Sequence, residues 1–143
     1  MVQTNHVKLY NGHELSGRIE SRDDYLKTHM LIEHVVRKTN RIGKPNKKGF
    51  ADESDIAQIL GIVEKRAREY LARMQKARVL AKIITETGGS VQISYAFNPV
   101  FVNSTKYVPL DLYVAFRDDI DEVIPGWMKD KYKEALEARG DNI

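Results

Sequence analysis

Cysteine is absent from this 143-residue chain, so it has neither disulfide bonds nor thiolate ligands and nucleophiles. No apolar run reaches the length needed to cross a membrane, and the first residues lack the apolar core of a signal peptide. The glycines form neither of the common phosphate-binding loops. We therefore expect a cytoplasmic protein without a membrane partner or a nucleotide cofactor.

The histidines and the acidic residues do not form a site either. His29 and His34 lie five positions apart, and on a helix they would point about 140° apart, so they share no ligand face. The acidic residues between Asp118 and Glu122 lack the spacing of a calcium-binding loop and predict a solvated loop or a helix start. We accordingly predict no enzymatic activity, no catalytic residue, no metal site and no cofactor.

The charge is concentrated in one part of the chain. Although the net charge is only +3, the segment from Arg37 to Lys82 has 13 Lys or Arg against 5 Asp or Glu, and the rest has 10 against 15. A local excess of positive charge suits a nucleic-acid surface, because neutralising phosphates releases bound counterions. The segment predicts a surface whose partner is double-stranded DNA.

The centre of the basic segment has the pattern of a helix-turn-helix. Ile56, Ala57 and Leu60 give a short helix one apolar face, with Ser54 as a candidate N-cap and Gly61 as the residue that can end it. A second helix has Ala67, Leu71, Met74 and Arg78 at helical spacing. Such a unit exposes its second helix, which can then enter the major groove of DNA.

The outer face of the second helix is polar and mostly basic. Its candidate DNA-contacting residues are Lys65, Arg66, Arg68, Glu69, Arg73 and Lys76. Guanidinium groups can pair with guanine edges or hold phosphates, and Ala72 leaves room for close approach. The alternative is a solvated face stabilised by pairs four residues apart, Glu64 with Arg68 and Glu69 with Arg73.

A basic loop precedes these helices. The stretch from Arg37 to Gly49 has six basic residues and no acidic one. Lys44, Lys47 and Lys48 are its candidates for phosphate contact. A solvated helix end and loop is an equally good interpretation of such a run.

After the second helix the pattern becomes that of a β-hairpin. Leu80 to Glu86 is β-prone, and the turn after it contains two glycines. Beyond the turn, Val91, Ile93, Tyr95 and Phe97 alternate with Gln92, Ser94 and Ala96. A helix-turn-helix followed by a hairpin is the element order of a winged helix. Thr87 and Ser90 are the candidate DNA contacts at the tip of the wing, through hydroxyl and backbone groups, because the tip has no cation. A purely structural wing is the alternative.

Weaker patterns flank this unit. Val7 to Tyr10 predicts a short strand, Asn11-Gly12 a turn, and Asp23 or Asp24 the start of an amphipathic helix that ends near Ile42-Gly43. Beyond the hairpin, the stretches from Val100 to Val102 and from Tyr107 to Val108 predict a second extended pair.

Two helices are predicted at the carboxyl-terminal side. Pro109 opens the first, and Pro125-Gly126 separates it from the last, which runs from Trp127 to Arg139. The candidate dimer-interface residues on the last helix are Trp127, Met128, Tyr132 and Leu136. Its apolar face packs either on the domain or against a second copy. Since helix-turn-helix proteins usually bind paired half-sites as dimers, we expect a homodimer.

The chain resembles a known class of proteins. The order helix, ILG turn, Arg-rich helix, ARVL and two-stranded wing is similar to that of bacterial winged-helix DNA-binding proteins. The exit from the wing, YAFNPVFVNSTKYVPLDLYVAF, resembles that of replication initiators of the RepL type from Gram-positive plasmids and related phage proteins. The resemblance covers roughly Asp52 to Phe116, and it implies base reading by Lys65, Arg66, Arg68 and Glu69.

The predicted fold is α+β and mostly α: a winged helix-turn-helix with an added amino-terminal helix and carboxyl-terminal helices. Residues 1–118 form the DNA-binding domain, and residues 119–143 form the amphipathic tail helix. The predicted function is sequence-specific DNA binding at the nucleoid, as a plasmid- or phage-type replication initiator or a transcriptional regulator. The alternatives are an architectural or partition-type DNA binder with little base specificity and a winged-helix module that binds protein.

Overall fold

The structure, a computed structural model, is α+β and describes residues 8–9 (backbone only), 15, 17–105 and 107–140. Its first part contains β1 (Lys8–Leu9), α1 (Arg22–Ile32), α2 (Glu53–Leu60), α3 (Glu64–Lys76), β2 (Leu80–Thr87) and β3 (Ser90–Phe97). Its second part contains β4 (Val102–Asn103), α4 (Leu110–Ala115), α5 (Arg117–Asp121) and α6 (Gly126–Ala138). The predicted α+β class is confirmed; the predicted turn at Asn11-Gly12 lies outside the described residues.

Helix α1 is shorter than its hydrophobic pattern predicts. The Ser21 side chain caps its start by accepting from the Asp24 N–H at 3.2 Å, but the helix ends at Ile32 and not near Gly43. Beyond it, Asn40 adopts a φ of 59°, and its side-chain amide donates to the carbonyls of Phe97 at 2.6 Å and Val102 at 2.9 Å. These distant bonds hold the chain out of the helical path.

The segment that follows Asn40 lies along β3. The Ile42 N–H donates to the Tyr95 carbonyl at 2.9 Å, and the Phe97 N–H donates to the Asn40 carbonyl at 2.9 Å. Arg41 forms an antiparallel bridge with Ala96. This segment thus covers the inner half of one edge of β3, while β2 pairs along the opposite edge.

Helices α2 and α3 form the predicted helix-turn-helix. Asp52, and not Ser54, caps α2, because the side chains of Asp52 and Asp55 each accept from the other's N–H, at 2.9 and 3.0 Å. Gly61 ends α2 with a φ of 69°, a conformation that glycine adopts without strain. Helix α3 ends at Lys76, so Arg78, with a φ of 59°, lies beyond the helix and not on its predicted apolar row.

Strands β2 and β3 form the predicted hairpin. They pair from Leu80↔Phe97 to Thr87↔Ser90 around a two-residue turn, Gly88-Gly89, in which both φ angles are positive. The carboxyl-terminal half of β3, which is its inner half, is buried on both faces. The amino-terminal half, which is the outer half beside the turn, is exposed. The second predicted pair is wrong in its partner, since β4 pairs with β1 and not with Tyr107-Val108.

Two hydrophobic clusters surround the base of the hairpin. The larger one joins α1, α2 and α3 to residues of the inner hairpin such as Leu80, Tyr95 and Phe97. The smaller one joins Ile83 and Ala96 of the hairpin to the buried residues of α4, α5 and α6. Because alternate hairpin residues enter different clusters, the carboxyl-terminal helices and the helix-turn-helix are built on one common sheet.

Asp119 on α5 connects these parts. Its side chain is 5% exposed and accepts from Arg18 at 2.8 Å and from Asn98 at 3.0 Å, and its Oδ2 lies 3.2 Å from Nε of Arg78. The predicted boundary between residues 118 and 119 falls inside α5 and beside this contact, and the division into two parts stays a prediction.

We expect Asp119→Asn to lower the free energy of unfolding by about 1–3 kcal/mol, since the two guanidinium groups would lose their shared carboxylate. The magnitude stays below that of a fully buried pair because Arg18 and Arg78 reach solvent. Urea unfolding measures the effect, with Asp118→Asn on the exposed side of the same helix as the control. Equal stability of the two variants would contradict the connecting role of Asp119.

Candidate nucleic-acid interface

One face of α3 fixes its position. Ala67, Tyr70, Leu71 and Met74 are buried against the core, as the helical spacing predicts. The Tyr70 hydroxyl lies 2.6 Å from the Thr28 hydroxyl, which itself donates to the Asp24 carbonyl at 2.8 Å. Burial raises the pKa of Tyr70 well above its ordinary value. The inner face is thus tied to α1 by packing and by a buried hydrogen bond.

The outer face of α3 presents cations that have no partner among the described residues. Lys65, Arg66, Arg68 and Lys76 are exposed, and their side chains make neither an ion pair nor a hydrogen bond with another described residue. In particular, the alternative pair of Glu64 with Arg68 does not form. A helix whose surface charges served only to stabilise it would be expected to pair some of them. These cations therefore remain available to an external anion.

Arg73 differs from its neighbours. Its Nε and Nη2 donate to the two carboxylate oxygens of Asp24 at 2.7 and 2.9 Å, and Asp24 is 4% exposed. The hydrogen bond to Asp24 raises the pKa of Arg73. The guanidinium group of Arg73 is thus held by a buried carboxylate on α1, and its contact with DNA stays a prediction. Glu69 on the same helix is exposed.

The basic loop, like α3, contains both a lysine paired within the fold and lysines that are exposed. The Lys44 ammonium donates to Asp55 at 2.9 Å, and this hydrogen bond raises the pKa of Lys44. Burial would raise the pKa of Asp55, but the hydrogen bonds from Lys44 and Asp52 and the charge of Lys44 together outweigh burial, so the pKa falls. Lys47 and Lys48 are exposed and form no such pair with a described residue. Of the three predicted phosphate contacts, Lys44 is already engaged inside the fold.

An acidic cleft lies beside the start of α3. It holds about 160 Å³ and is lined by Asp52, Glu53, Ser54, Glu64, Lys82, Ile93 and Tyr95. Burial, followed by the neighbouring Glu53, raises the pKa of Tyr95 to about 12. Three carboxylates against one ammonium disfavour phosphate here. Sequence reasoning missed this cleft, although the run Asp52-Glu53-Ser54-Asp55 at the start of α2 was its signal.

The outer part of the hairpin exposes both polar and aliphatic side chains. Thr87 and Ser90, the predicted DNA contacts, are exposed on either side of the glycine pair. Ile84 and Val91 are each 61% exposed, and Ile93 is 37% exposed. The hairpin extends beyond the core, and this leaves Val91 and Ile93 in solvent although they belong to the same alternating row as the buried Tyr95 and Phe97.

The predicted dimer face of α6 is partly used within the chain. Leu136 is buried in the smaller hydrophobic cluster. The Tyr132 ring stacks on Tyr113 with centroids 4.1 Å apart, and its hydroxyl donates to the Val108 carbonyl at 2.7 Å. Internal packing therefore occupies Tyr132 and Leu136, and the dimer interface on α6 stays a prediction. Trp127 is 60% exposed and Met128 is half-buried.

Other kinds of site were considered over the same residues. Within the described part of the chain, no group of three His, Asp or Glu side chains is arranged to hold a metal ion. No helix in that part combines the length and the apolar character needed to cross a bilayer. Comparisons with models of known families, with curated proteins and with solved structures find no match to this chain.

Substitution of the paired arginine on α3 should affect stability more than substitution of an unpaired arginine on the same helix. We expect Arg73→Ala to lower the free energy of unfolding by about 1–3 kcal/mol, since it leaves the buried Asp24 carboxylate unpaired. Arg66→Ala removes the same side chain from an unpaired position and should change stability by less than about 0.5 kcal/mol. Thermal and urea unfolding followed by circular dichroism compare them. A similar loss in both variants would count against the assigned role of Arg73.

Proposed function

We propose that this protein is a winged helix-turn-helix protein that binds double-stranded DNA with α3 in the major groove. The observation that carries the proposal is the exposed face of α3, on which Lys65, Arg66, Arg68 and Lys76 have no partner among the described residues. Leaving cations unpaired on one rigid helix favours an external polyanion, because phosphate contact then releases counterions and breaks no internal pair.

The arrangement of elements supports this proposal. Gly61 turns the chain between α2 and α3, and the hairpin follows α3 directly. The segment between α1 and α2 adds to the same sheet through Ile42 and Tyr95. In such an arrangement the second helix of the helix-turn-helix is the groove-reading element, and the hairpin is a wing beside it.

Roles can be assigned along this face. Arg66 and Arg68, near the amino-terminal end of α3, would read guanine edges through their planar guanidinium groups. Glu69 would accept a hydrogen bond from the amino group of cytosine. Lys47, Lys48 and Lys76 would contact phosphates, with Thr87 and Ser90 at the wing tip. The acidic cleft between α2 and the hairpin would keep phosphate away from the start of α2 and so limit the orientation of the duplex.

We propose sequence-specific binding at the nucleoid, in a replication initiator or a transcriptional regulator, as the resemblance to RepL-type proteins suggests. The principal alternative is an architectural binder with little base readout. Both lose affinity as salt rises, but only a specific reader retains a large preference for one site over competitor DNA. Selection of bound duplexes from a random pool supplies the site and decides between them.

Changing Arg66 and Arg68 together to alanine should leave the fold intact, since neither side chain is buried. It should cost on the order of 2–5 kcal/mol of specific binding if each makes a base contact or a paired phosphate contact. Titration of the selected duplex by fluorescence anisotropy measures the loss. The double variant Lys131→Ala, Lys133→Ala removes the same charge from exposed positions on α6 and should bind as the unchanged protein does. Equal losses in both double variants would show that only the net charge matters.

The loop lysines should contribute to affinity and not to specificity. Changing Lys47 and Lys48 to glutamine should weaken binding to selected and random duplexes by similar factors. It should also flatten the slope of log affinity against log salt by up to about two units. Lys44→Gln is the comparison within the loop, and it should change the slope least because Asp55 already balances that charge. An unaltered slope in the double variant would make the loop a solvated linker.

A further inference from the structure

Along one edge of β2, main-chain groups point outward and pair with no other residue that the structure describes. On β3, the Tyr95 carbonyl and the Phe97 N–H bond to the segment at Asn40–Ile42, so these two residues direct their main-chain groups away from β2. The direction alternates along an antiparallel pair, and residues paired opposite each other behave alike. Lys82, Ile84 and Glu86, which pair with Tyr95, Ile93 and Val91, therefore direct theirs away from β3. No hydrogen bond from another described residue reaches them.

The side chains along this edge form an apolar centre between opposite charges. Lys82, Ile84 and Glu86 share one face of the hairpin, and Ile93 and Val91 lie on that face directly opposite Ile84 and Glu86. Ile84 and Val91 are each 61% exposed. A long edge strand that exposes aliphatic side chains is a template for pairing with another strand. Lys82 and Glu86 stand two residues on either side of Ile84, which makes the edge complementary to itself in the antiparallel direction.

We propose that a second copy of this chain docks on the edge, with the two β2 strands antiparallel and paired at Ile84. In that register Ile84 faces Ile84 of the second copy, and Lys82 faces Glu86 of the second copy twice, once on each side of the axis. All these residues direct main-chain groups outward, so the opposed pairs can exchange both of their hydrogen bonds. The result is a four-stranded sheet with the isologous contact of a two-fold dimer.

The surroundings of β2 leave room for the second copy. A groove of about 600 Å³ lies between β2 and the helices α4 and α6, with Lys82, Ile84, Val114 and Leu136 in its lining. The register places the Gly88-Gly89 turn of the second copy beside the first residues of β2. Because these two glycines have no side chains, the turn can approach the first copy closely.

The joined sheet would keep the helix-turn-helix units together. Lys82, Ile93 and Tyr95 line the cleft with the starts of α2 and α3, whereas Ile83 and Ala96 pack on the opposite side with the carboxyl-terminal helices. A two-fold axis perpendicular to the sheet exchanges the copies without exchanging its faces. Both copies of α3 would then lie on one side of the particle. In this dimer the hairpin tip lies against the second copy, so Thr87 and Ser90 would contact protein in place of the DNA contact proposed for them above. The absence of cations at the tip suits such a contact.

Charge reversal tests the register without DNA. In Lys82→Glu both opposed pairs become Glu with Glu, and in Glu86→Lys both become Lys with Lys. Each single variant should dimerise at least about tenfold more weakly than the unchanged protein in sedimentation equilibrium. The double variant K82E, E86K restores opposite charges and should recover dimerisation. An equimolar mixture of the two single variants should form a heterodimer, since each Glu then meets a Lys.

Control variants and a second measurement distinguish weaker dimerisation from loss of folding. Lys131→Glu and Glu134→Lys make the same charge changes at exposed positions of α6 and should leave dimerisation unaltered. Hydrogen exchange at the amides of Ile84 and Glu86 should slow as the concentration of unchanged protein rises, while exchange at Thr85, whose amide points into the hairpin, should not depend on it. Concentration-independent protection of Ile84 would mean that the same chain covers the edge, and would overturn the proposal.

The proposal also fails if the unchanged protein is monomeric at every concentration tested, or if mixing the single variants gives no heterodimer. A wing that contacts DNA would behave differently. Lys82→Glu would then weaken binding of a duplex by a monomeric protein, and the mixture would not restore it. Dimerisation is measured without DNA, so a monomeric result would contradict the dimer contact and not the proposed DNA-binding face of α3. Loss of DNA binding would likewise not contradict the dimer contact.

Discussion

A single buried carboxylate, that of Asp119, holds three separate parts of the chain together. Asp119 accepts from Arg18 before α1, from Arg78 after α3 and from Asn98 after β3. Asn98 in turn donates its side-chain amide to the Arg78 carbonyl at 2.9 Å, and its own N–H to the Val79 carbonyl at 2.9 Å. These bonds set the direction in which the hairpin leaves α3. The position of the hairpin relative to the outer face of α3 consequently depends on a residue from α5.

The contrast between used and unused cations organises the surface. Arg73, Lys44 and Arg18 each pair with a carboxylate of the same chain, and each pair joins two separate segments of the chain. The cations on the outer face of α3 meet none among the described residues. The cations of this protein therefore form two groups: those that pair with a carboxylate and stabilise the fold, and those that remain exposed. On α3, the buried Asp24 places Arg73 in the first group, whereas the exposed cations of the same helix belong to the second.

Sequence reasoning succeeded where the determinants are local. The helix-turn-helix follows from apolar spacing and from Gly61, and the hairpin follows from β-branched residues around Gly88-Gly89. Helical periodicity does not distinguish Arg73 from Arg66, because the difference lies in Asp24, which is distant in sequence. The burial of Asp119 is likewise set by its distant partners, whereas its own neighbours read as a solvated acidic run. The end of α1 depends on Asn40, whose acceptors lie near residue 100.

The contacts of Asn40 also bear on the order in which the protein folds. Its side chain and main chain bond to Phe97, Val102 and Ser104, which lie 57 to 64 residues further along the chain. Contacts of such separation are slow to form, because a long loop must close before they contribute any stability. The helix-turn-helix and the hairpin need only near neighbours and can form first. The segment at Asn40–Ile42 would then dock late, after the edge of β3 that receives it has formed, even though it precedes that edge in the sequence.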